Sequence, residues 1–325
     1  MKQLLNIAFF SFLVFLQIQA TAATVDKVVT TSASMHKQIK AVVVKPDGYT
    51  SGKAFPVVYL LHGRGGNYKD WITKVPAIAQ LADQFGVLIV CPDGAFNSWY
   101  LDSPVDTSLK YETYISKDLV AWIDQHYQTI ASPKGRAITG LSMGGHGAMY
   151  NAFRHQDVFG AVGSMSGGVD LRPFPNNWQL AERLGPYAKF PERWDAYSVI
   201  NLTYLLTPNA LALIIDCGSE DFFYGVNKAL HEKLLATNIP HDFISRPGGH
   251  TWEYWSNVLV IRCSTFPRSS IRNNRLQIGA NTGKRDLYIQ AGYSWLIFMI
   301  NFFKSPCAAP RTTGVATLSK HHAIE

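Results

Sequence analysis

Cysteine is scarce in this chain, and its scarcity excludes two kinds of protein. Four cysteines occur among 325 residues, at positions 91, 217, 263 and 307, and their spacing matches neither a disulfide framework nor a thiolate metal site. Cys91 and Cys217 each end an apolar segment, so we expect them to be buried free thiols. We predict no metal or other cofactor for this protein.

An excess of charge is also lacking in most of the chain. The net charge of +7 lies entirely in residues 261–325, which hold nine basic and two acidic residues, whereas residues 1–260 hold 21 of each. A balanced body has no electrostatic surface to attract phosphates. We therefore expect no nucleic-acid partner, and nothing in the sequence indicates an oligomeric state.

The sequence also lacks an apolar run long enough to cross a bilayer. A basic residue precedes an apolar stretch at 4–18 and small residues follow it, which is typical of a secretory signal and too short for a membrane anchor. We expect residues 1–22 to be this signal peptide, with the mature chain beginning near Ala23 or Thr24, secreted or periplasmic. Residues 295–303 are also too short for a span, so we expect no stable membrane insertion.

What the chain does have is an alternation of apolar strand-like runs and helical patterns. This alternation is typical of a mostly parallel sheet with helices on both faces, so we predict one α/β domain over residues 23–260. Residues 168–202 fit neither period and predict an excursion over one end of the sheet. Predicted strands cover 39–44, 57–61, 87–91, 136–139, 161–165, 211–216 and 242–245, and predicted helices cover 75–85, 112–127, 144–153 and 225–237.

The most informative motif is G-x-S-x-G at residues 140–144, between a predicted strand and a predicted helix. In this setting the motif forms a nucleophile elbow, a tight turn that lifts the serine hydroxyl clear of the sheet. Small residues flank Ser142 because the turn brings helix backbone against strand backbone and leaves no space for a Cβ. The motif therefore predicts Ser142 as a nucleophile.

A serine hydroxyl is a weak nucleophile and needs a base, which in turn needs an orienting acid. Among ten histidines, His250 follows the last predicted strand in a glycine-rich loop, at the edge where parallel sheets bind ligands. We predict His250 as the base. His146 lies one helical turn from Ser142, and we expect it to be a packing residue.

The loop after the strand at 211–216 offers the acid. Asp216 still belongs to the strand end and is expected to bond loop amides, whereas Asp221 lies far enough into the loop to reach His250. The geometry that a triad demands favours Asp221, with Asp216 as the alternative. The order serine, aspartate, histidine is that of α/β-hydrolases.

A reaction of this type also needs N–H donors for an oxyanion. One donor should be the amide of Met143, at the start of the helix that follows the serine. The second should come from the glycine-rich loop at 62–66, where the amide of Arg64 is favoured and that of Gly65 is the alternative.

Six short motifs occur in order along the chain: HGRGG at 62–66, NSWY at 97–100, YETY at 111–114, GLSMGG at 140–145, DCG at 216–218 with DF at 221–222, and GHTWEYW at 249–255. Together they resemble the esterase D family, in consistent order over about residues 39–255. That family includes S-formylglutathione hydrolases, tributyrin esterases, feruloyl and acetylxylan esterases and mycolyltransferases, and the small tributyrin-esterase-like members look most similar. The resemblance implies an α/β-hydrolase fold with a Ser142, Asp221 and His250 triad.

The resemblance carries further expectations about the site. It implies that the amides of Arg64 and Met143 bind the oxyanion, and that Trp99 and Asp102 border the substrate entrance. Trp252, in the histidine loop, is a further candidate for contact with an acyl group, an aryl group or a sugar ring.

The chain departs from these relatives after residue 259. Relatives end with an amphipathic helix soon after the histidine loop, whereas residues 260–270 lack helical periodicity and are followed by basic residues and turn formers. We expect residues 261–325 to lie outside the fold, and our hypothesis is a slip of the reading frame near Leu259. A genuine divergent extension is the alternative, and resequencing the DNA for residues 250–275 decides between them.

We therefore expect a secreted serine hydrolase of carboxylic esters, which acts on short acyl esters or on acetyl or feruloyl groups linked to polysaccharide. Its expected partner is a small-molecule or carbohydrate ester. Cleavage of S-formylglutathione-type thioesters is the alternative, which export disfavours because that chemistry is cytosolic in the family. A carbohydrate-binding module without catalysis is the alternative from another class, and the ordered triad argues against it.

Overall fold

An eight-stranded sheet forms the centre of the computed structural model, which describes residues 22–260 and Phe303. Its strands are β1 Thr24–Ser32, β2 Lys37–Lys45, β3 Val57–Leu61, β4 Leu88–Pro92, β5 Arg136–Leu141, β6 Ala161–Met165, β7 Ala212–Gly218 and β8 Asp242–Arg246. They lie in the order β1-β2-β4-β3-β5-β6-β7-β8. β1 pairs antiparallel with β2 and β2 antiparallel with β4, whereas every other neighbouring pair is parallel.

Helical segments connect most of these strands. The α-helices are α1 Asp70–Lys74, α2 Ile78–Phe85, α3 Tyr111–Thr113, α4 Val120–His126, α5 Met143–Arg154, α6 Leu180–Leu184, α7 Pro191–Tyr197, α8 Tyr224–Ala236 and α9 Trp252–Val260. A π-helical segment at Tyr114–Leu119 joins α3 to α4, and 3₁₀ segments occupy Pro133–Gly135 and Val199–Leu205.

Apolar side chains build one core on each face of the sheet. On β3, Val57, Tyr59 and Leu61 belong to one core, and Val58 and Leu60 belong to the other, as the two-residue period of a strand requires. The helical stretch from α3 to α4, together with α5 and α8, covers the first face. Helices α1, α2 and α9 cover the second.

The strand order brings two loops together at one edge of the sheet. β4 lies on one side of β3 and β5 lies on the other, so the direction of winding changes between β3 and β5. Leu61 at the end of β3 is paired with Gly140 in β5, so the loops after the two strands leave the sheet side by side. Open parallel sheets bind ligands at such a switch point.

The predicted fold class, α/β with a mostly parallel sheet and helices on both faces, is confirmed, and all seven predicted strands are present. Strand β1 was not predicted, because this edge strand is mostly polar and exposed and carries little apolar signal. The predicted helix at 75–85 begins only at Ile78, and Pro76 disfavours helical geometry at Val75, the first residue of the prediction. Helices α6 and α7 are too short to show a helical period, and α9 was also not predicted.

Several other expectations can be compared with the described residues. Cys91 and Cys217 are buried and free, as predicted. Within residues 22–260, no helix combines the length and apolar character of a membrane span. Predictions for residues 1–21, and those for 261–325 with their two cysteines, concern parts outside the described residues. The exception is Phe303, which packs against the second core.

Candidate active site

Ser142 occupies the sharp turn between β5 and α5, with a backbone φ of +54°. A non-glycine residue in this conformation is strained, and such strain is a common feature of functional sites. The turn is possible because its neighbours lack side chains. A Cβ on Gly140 would lie 2.6 Å from the carbonyl group of Gly144, and a Cβ on Gly144 would lie 2.6 Å from the carbonyl oxygens of Leu61 and His62.

Three side chains from distant parts of the sequence meet above this turn. The Ser142 hydroxyl donates to Nε2 of His250 with an Oγ–Nε2 distance of 2.9 Å, and Nδ1 of His250 donates to Oδ2 of Asp221 at 2.8 Å. The second carboxylate oxygen of Asp221 accepts the amide of Phe223 at 2.8 Å. The Asp221 side chain is completely buried. The structure thus brings together the three residues proposed from the sequence as nucleophile, base and acid.

Asp216, the alternative acid, has different partners. Its Oδ1 accepts the Tyr254 hydroxyl at 2.6 Å, and its Oδ2 forms an ion pair with Arg246. Burial raises the pKa of Asp216 to about 6, although Arg246 and Tyr254 both act to lower it. The expectation that Asp216 bonds loop amides is therefore corrected, because side chains of β8 and α9 hold its carboxylate.

The loop after β3 lies directly against Ser142. A Cβ on Gly63 would lie 2.6 Å from the Leu141 side chain and 3.5 Å from Cβ of Ser142. In residues 22–260, the Arg64 amide has no hydrogen-bond acceptor, whereas the Gly65 amide donates to Phe96 O at 2.7 Å. The Met143 amide opens α5 and has no acceptor within that helix. Arg64 and Met143, rather than Gly65, are thus the amides free to bind an oxyanion.

The side chain of His62 fixes the shape of the loop after β3 through two hydrogen bonds. The Gly94 amide donates to its Nε2 at 2.8 Å, so Nδ1 carries the proton and donates to the Gly63 carbonyl at 2.7 Å. Burial lowers the pKa of His62, which favours the neutral tautomer that this pattern requires. The imidazole therefore has a structural role in a loop that the sequence identified only by its glycines.

A pocket of about 320 Å³ opens beside Ser142 and His250. Trp252 lies on its wall, as the sequence suggested, and the Nζ atom of Lys74 sits 4.5 Å above the Trp252 ring. Asp70 pairs with Lys74 at 3.8 Å. Further lining comes from residues 63–66, Leu141, Thr251 and Trp255. The lining therefore combines aromatic and charged side chains, which suits a ligand with both apolar and polar groups.

Trp99 and Asp102 do not border this pocket, so the expectation for these two residues is corrected. Trp99 is only 1% exposed and packs edge-on against His146. The Asp102 carboxylate accepts both the amide and the hydroxyl of Thr113, at 3.0 and 2.6 Å. Trp99 therefore packs in the core, and Asp102 is bound to helix α3. His146 is a fully buried packing residue, as expected, and burial lowers its pKa to about 4.

Sequence reasoning missed several residues near the site. The ring of Phe222 lies 4.2 Å from the His250 imidazole and is 53% exposed. Phe96 is 57% exposed, and the Arg64 guanidinium lies 4.7 Å from its ring. Phe222 follows the acid directly, so an exposed aromatic next to Asp221 was the available signal. No sequence signal marks Lys74 or Asp70. Within residues 22–260, no group of three or more histidine, cysteine or carboxylate side chains could hold a metal.

Comparisons with known proteins match this architecture. The family model described as "Putative esterase" covers residues 32–262. An esterase of Mycobacterium tuberculosis is 38% identical over 239 residues, which represent 65% of this chain and 52% of that protein, so the chain spans about half of the relative. An acetyl esterase of Caldicellulosiruptor saccharolyticus is 24% identical over 220 residues, 62% of this chain and 80% of the relative.

Solved structures show the same fold. The structure of a ferulic acid esterase superimposes with a TM-score of 0.63 and 27% sequence identity, over 74% of this chain and 96% of that one. The sheet, the switch point and the position of the nucleophile turn described above are therefore those of an α/β-hydrolase.

Proposed function

Because this chain belongs to the esterase family, we propose that it hydrolyses carboxylic esters through Ser142, His250 and Asp221. The observation that carries the proposal is the unbroken hydrogen-bond chain from the Ser142 hydroxyl through His250 to the buried carboxylate of Asp221. The Ser142 end of this series of hydrogen bonds lies at a pocket large enough to admit a small ester.

The geometry supports a two-stage reaction. His250 removes the proton from Ser142 Oγ as that oxygen attacks the acyl carbon, and the amides of Arg64 and Met143 stabilise the tetrahedral oxyanion. His250 then gives its proton to the leaving alcohol, which departs and leaves an acyl-serine. Water, activated by the same imidazole, releases the acid. Asp221 stays ionised and holds the Nδ1–H tautomer of His250 throughout.

We propose short acyl esters, or acetyl and feruloyl esters of polysaccharide, as substrates of a secreted or periplasmic enzyme. The pocket supports this proposal because it combines the Trp252 ring with the polar side chains of Lys74 and Asp70, and a sugar presents both apolar faces and hydroxyl groups. The names of the relatives, an acetyl esterase and a ferulic acid esterase, agree with it. Export rests on the signal expected at residues 1–22.

The replacement of Ser142 by alanine tests the nucleophile. S142A should lose covalent labelling by a fluorophosphonate and lower kcat on p-nitrophenyl acetate by about 10⁴-fold or more. The exposed Ser51 provides a matched control, since S51A should label and turn over like the wild type. Undiminished turnover in S142A would show that another residue is the nucleophile.

A substrate panel tests the specificity. Acetyl, butyryl and feruloyl esters should be hydrolysed faster than S-formylglutathione, measured as kcat/KM under the same conditions. The opposite order would favour the thioesterase alternative.

A further inference from the structure

The carboxylate of Asp216 binds Tyr254 and Arg246 rather than a residue of the triad, and it takes no part in the proposed reaction. It is 1% exposed and belongs to β7, the strand that leads into the loop carrying Asp221. A buried carboxylate is costly unless it is fully hydrogen-bonded and paired. Its partners are Tyr254 and Arg246. The role of this buried carboxylate therefore depends on where these two side chains lie in the structure.

Arg246 and Tyr254 flank the loop that carries the base. Arg246 is the last residue of β8, four positions before His250, and Tyr254 lies in α9, four positions after it. One carboxylate therefore fastens both ends of the His250 loop. The Arg246 guanidinium also lies 5.4 Å from the Tyr254 ring, which links the two ends to each other.

Backbone hydrogen bonds attach the same loop to the acid. The Ser219 amide donates to the Arg246 carbonyl at 2.8 Å, and the Glu220 amide donates to the Gly248 carbonyl at 3.1 Å. Both donors belong to the segment between Asp216 and Asp221. The loop that carries Asp221 and the loop that carries His250 are thus joined by backbone hydrogen bonds, and the side chain of Asp216 binds residues on both sides of the second loop.

The loop has little space to adjust. A Cβ on Gly248 would lie 2.6 Å from the Tyr254 ring, and a Cβ on Gly218 would lie 2.1 Å from the Gly248 carbonyl oxygen. The Tyr254 ring therefore forms the surface on which the loop rests, and its hydroxyl fixes the position of that ring. A change in this anchor is passed directly to the backbone that precedes His250.

We propose that Asp216, Arg246 and Tyr254 are positioning residues that hold His250 at hydrogen-bond distance from Ser142. The inference rests on the proposed function. None of the three side chains touches the reacting atoms, so their contribution is to the alignment of the base, and alignment limits kcat rather than substrate binding.

The variant Y254F tests this role, because it removes one hydroxyl and keeps the ring on which the loop rests. We expect kcat on p-nitrophenyl acetate and the rate of fluorophosphonate labelling to fall together, by between about 10- and 100-fold, with KM within about twofold of wild type. Tyr59 provides the matched control. It is fully buried in β3, and its hydroxyl has no hydrogen-bond partner within residues 22–260, so Y59F should label at the wild-type rate.

Two variants of Arg246 provide a second measurement. R246K keeps the cation beside Asp216 and should retain more of the labelling rate than R246Q, which removes it. Equal labelling rates for R246K and R246Q would overturn the role given to this ion pair. Thermal denaturation of every variant separates misalignment from unfolding.

The outcomes distinguish this inference from the proposed function. A folded wild-type protein that is neither labelled nor active would contradict the proposed function itself. An active and labelled wild type, with Y254F labelling as fast as Y59F, would overturn the positioning role, whatever the melting temperature of Y254F.

Discussion

The Oγ atom of Ser142 and the Nε2 atom of His250 lie 2.9 Å apart, yet the surrounding structure supports the two residues in different ways. Around Ser142 the support is steric, since strand, helix and loop backbones meet where Gly63, Gly140 and Gly144 leave no space for a Cβ. Around His250, polar side chains from β7, β8 and α9 add to the close packing at Gly218 and Gly248. Close packing thus fixes the turn at Ser142, whereas the position of His250 depends also on hydrogen bonds and an ion pair.

This difference predicts how substitutions should act on the two halves of the site, the serine half around Ser142 and the histidine half around His250. Packing around a backbone cannot adjust, so a single added methyl group should destabilise the serine half, without dependence on pH. A polar anchor can be changed without a clash, so substitutions in the histidine half should reduce catalysis more than folding. Three experiments test the contrast, beginning with the largest expected effect.

Of these three experiments, the variant D221N should have the greatest effect on activity. An asparagine amide at this position presents an N–H group to Nδ1 of His250 and favours the wrong tautomer, so kcat should fall by about 10⁴-fold. Hydrolysis of p-nitrophenyl acetate measures the loss, and circular dichroism checks the fold. Asp195, which is about half exposed on the surface, provides the control D195N. A D221N enzyme with near-normal kcat would remove Asp221 from the triad.

The variant G144A should instead destabilise the fold. Its methyl group would lie 2.6 Å from the backbone oxygens of Leu61 and His62, where β3 ends, and we expect a loss of about 3 kcal/mol in the free energy of unfolding, measured in urea. Gly225 is also helical, and a Cβ there meets nothing within 4 Å. G225A should therefore stabilise the protein by about 0.5 kcal/mol. Equal stabilities of the two variants would contradict the steric account of the elbow.

A smaller effect, and one that depends on pH, is expected from Asp216. Burial raises its pKa from 3.8 to about 6, so the native state binds the proton more tightly than the unfolded state. The resulting stabilisation is complete below about pH 4 and is lost as pH rises through 6, a difference of roughly 2–3 kcal/mol. Urea unfolding should show this loss in the wild type relative to D216N. G144A should show the same pH dependence as the wild type, because packing does not titrate.

The predictions that succeeded depended on local patterns. A strand, a G-x-S-x-G turn and a helix are contiguous in sequence, so Ser142 and the start of α5 could be located directly. The glycine-rich loop after the last predicted strand located His250 in the same way. The parallel sheet followed from its run of apolar strands, whereas the mostly exposed edge strand β1 carried too little of that signal.

Other features depended on contacts between distant segments. Asp216 and Asp221 lie five positions apart, and only the packing of α9 and β8 shows that Tyr254 and Arg246 hold the first, leaving the second for His250. The burial of Trp99 beneath the site likewise results from its packing against α5. Lys74 reaches the pocket because α1 lies beside Trp252. The local sequence around Lys74 gives no sign that Trp252 is its neighbour.

The sequence by itself determined the order of the strands along the chain, the turn that carries Ser142 and the loop that carries His250, because each depends on the steric limits of neighbouring residues. Only the tertiary structure decided which carboxylate serves His250, which amides are free beside Ser142 and which side chains line the pocket. Those outcomes depend on directions and distances of a few ångströms between segments as far apart in sequence as Lys74 and Trp252, and no local preference specifies them.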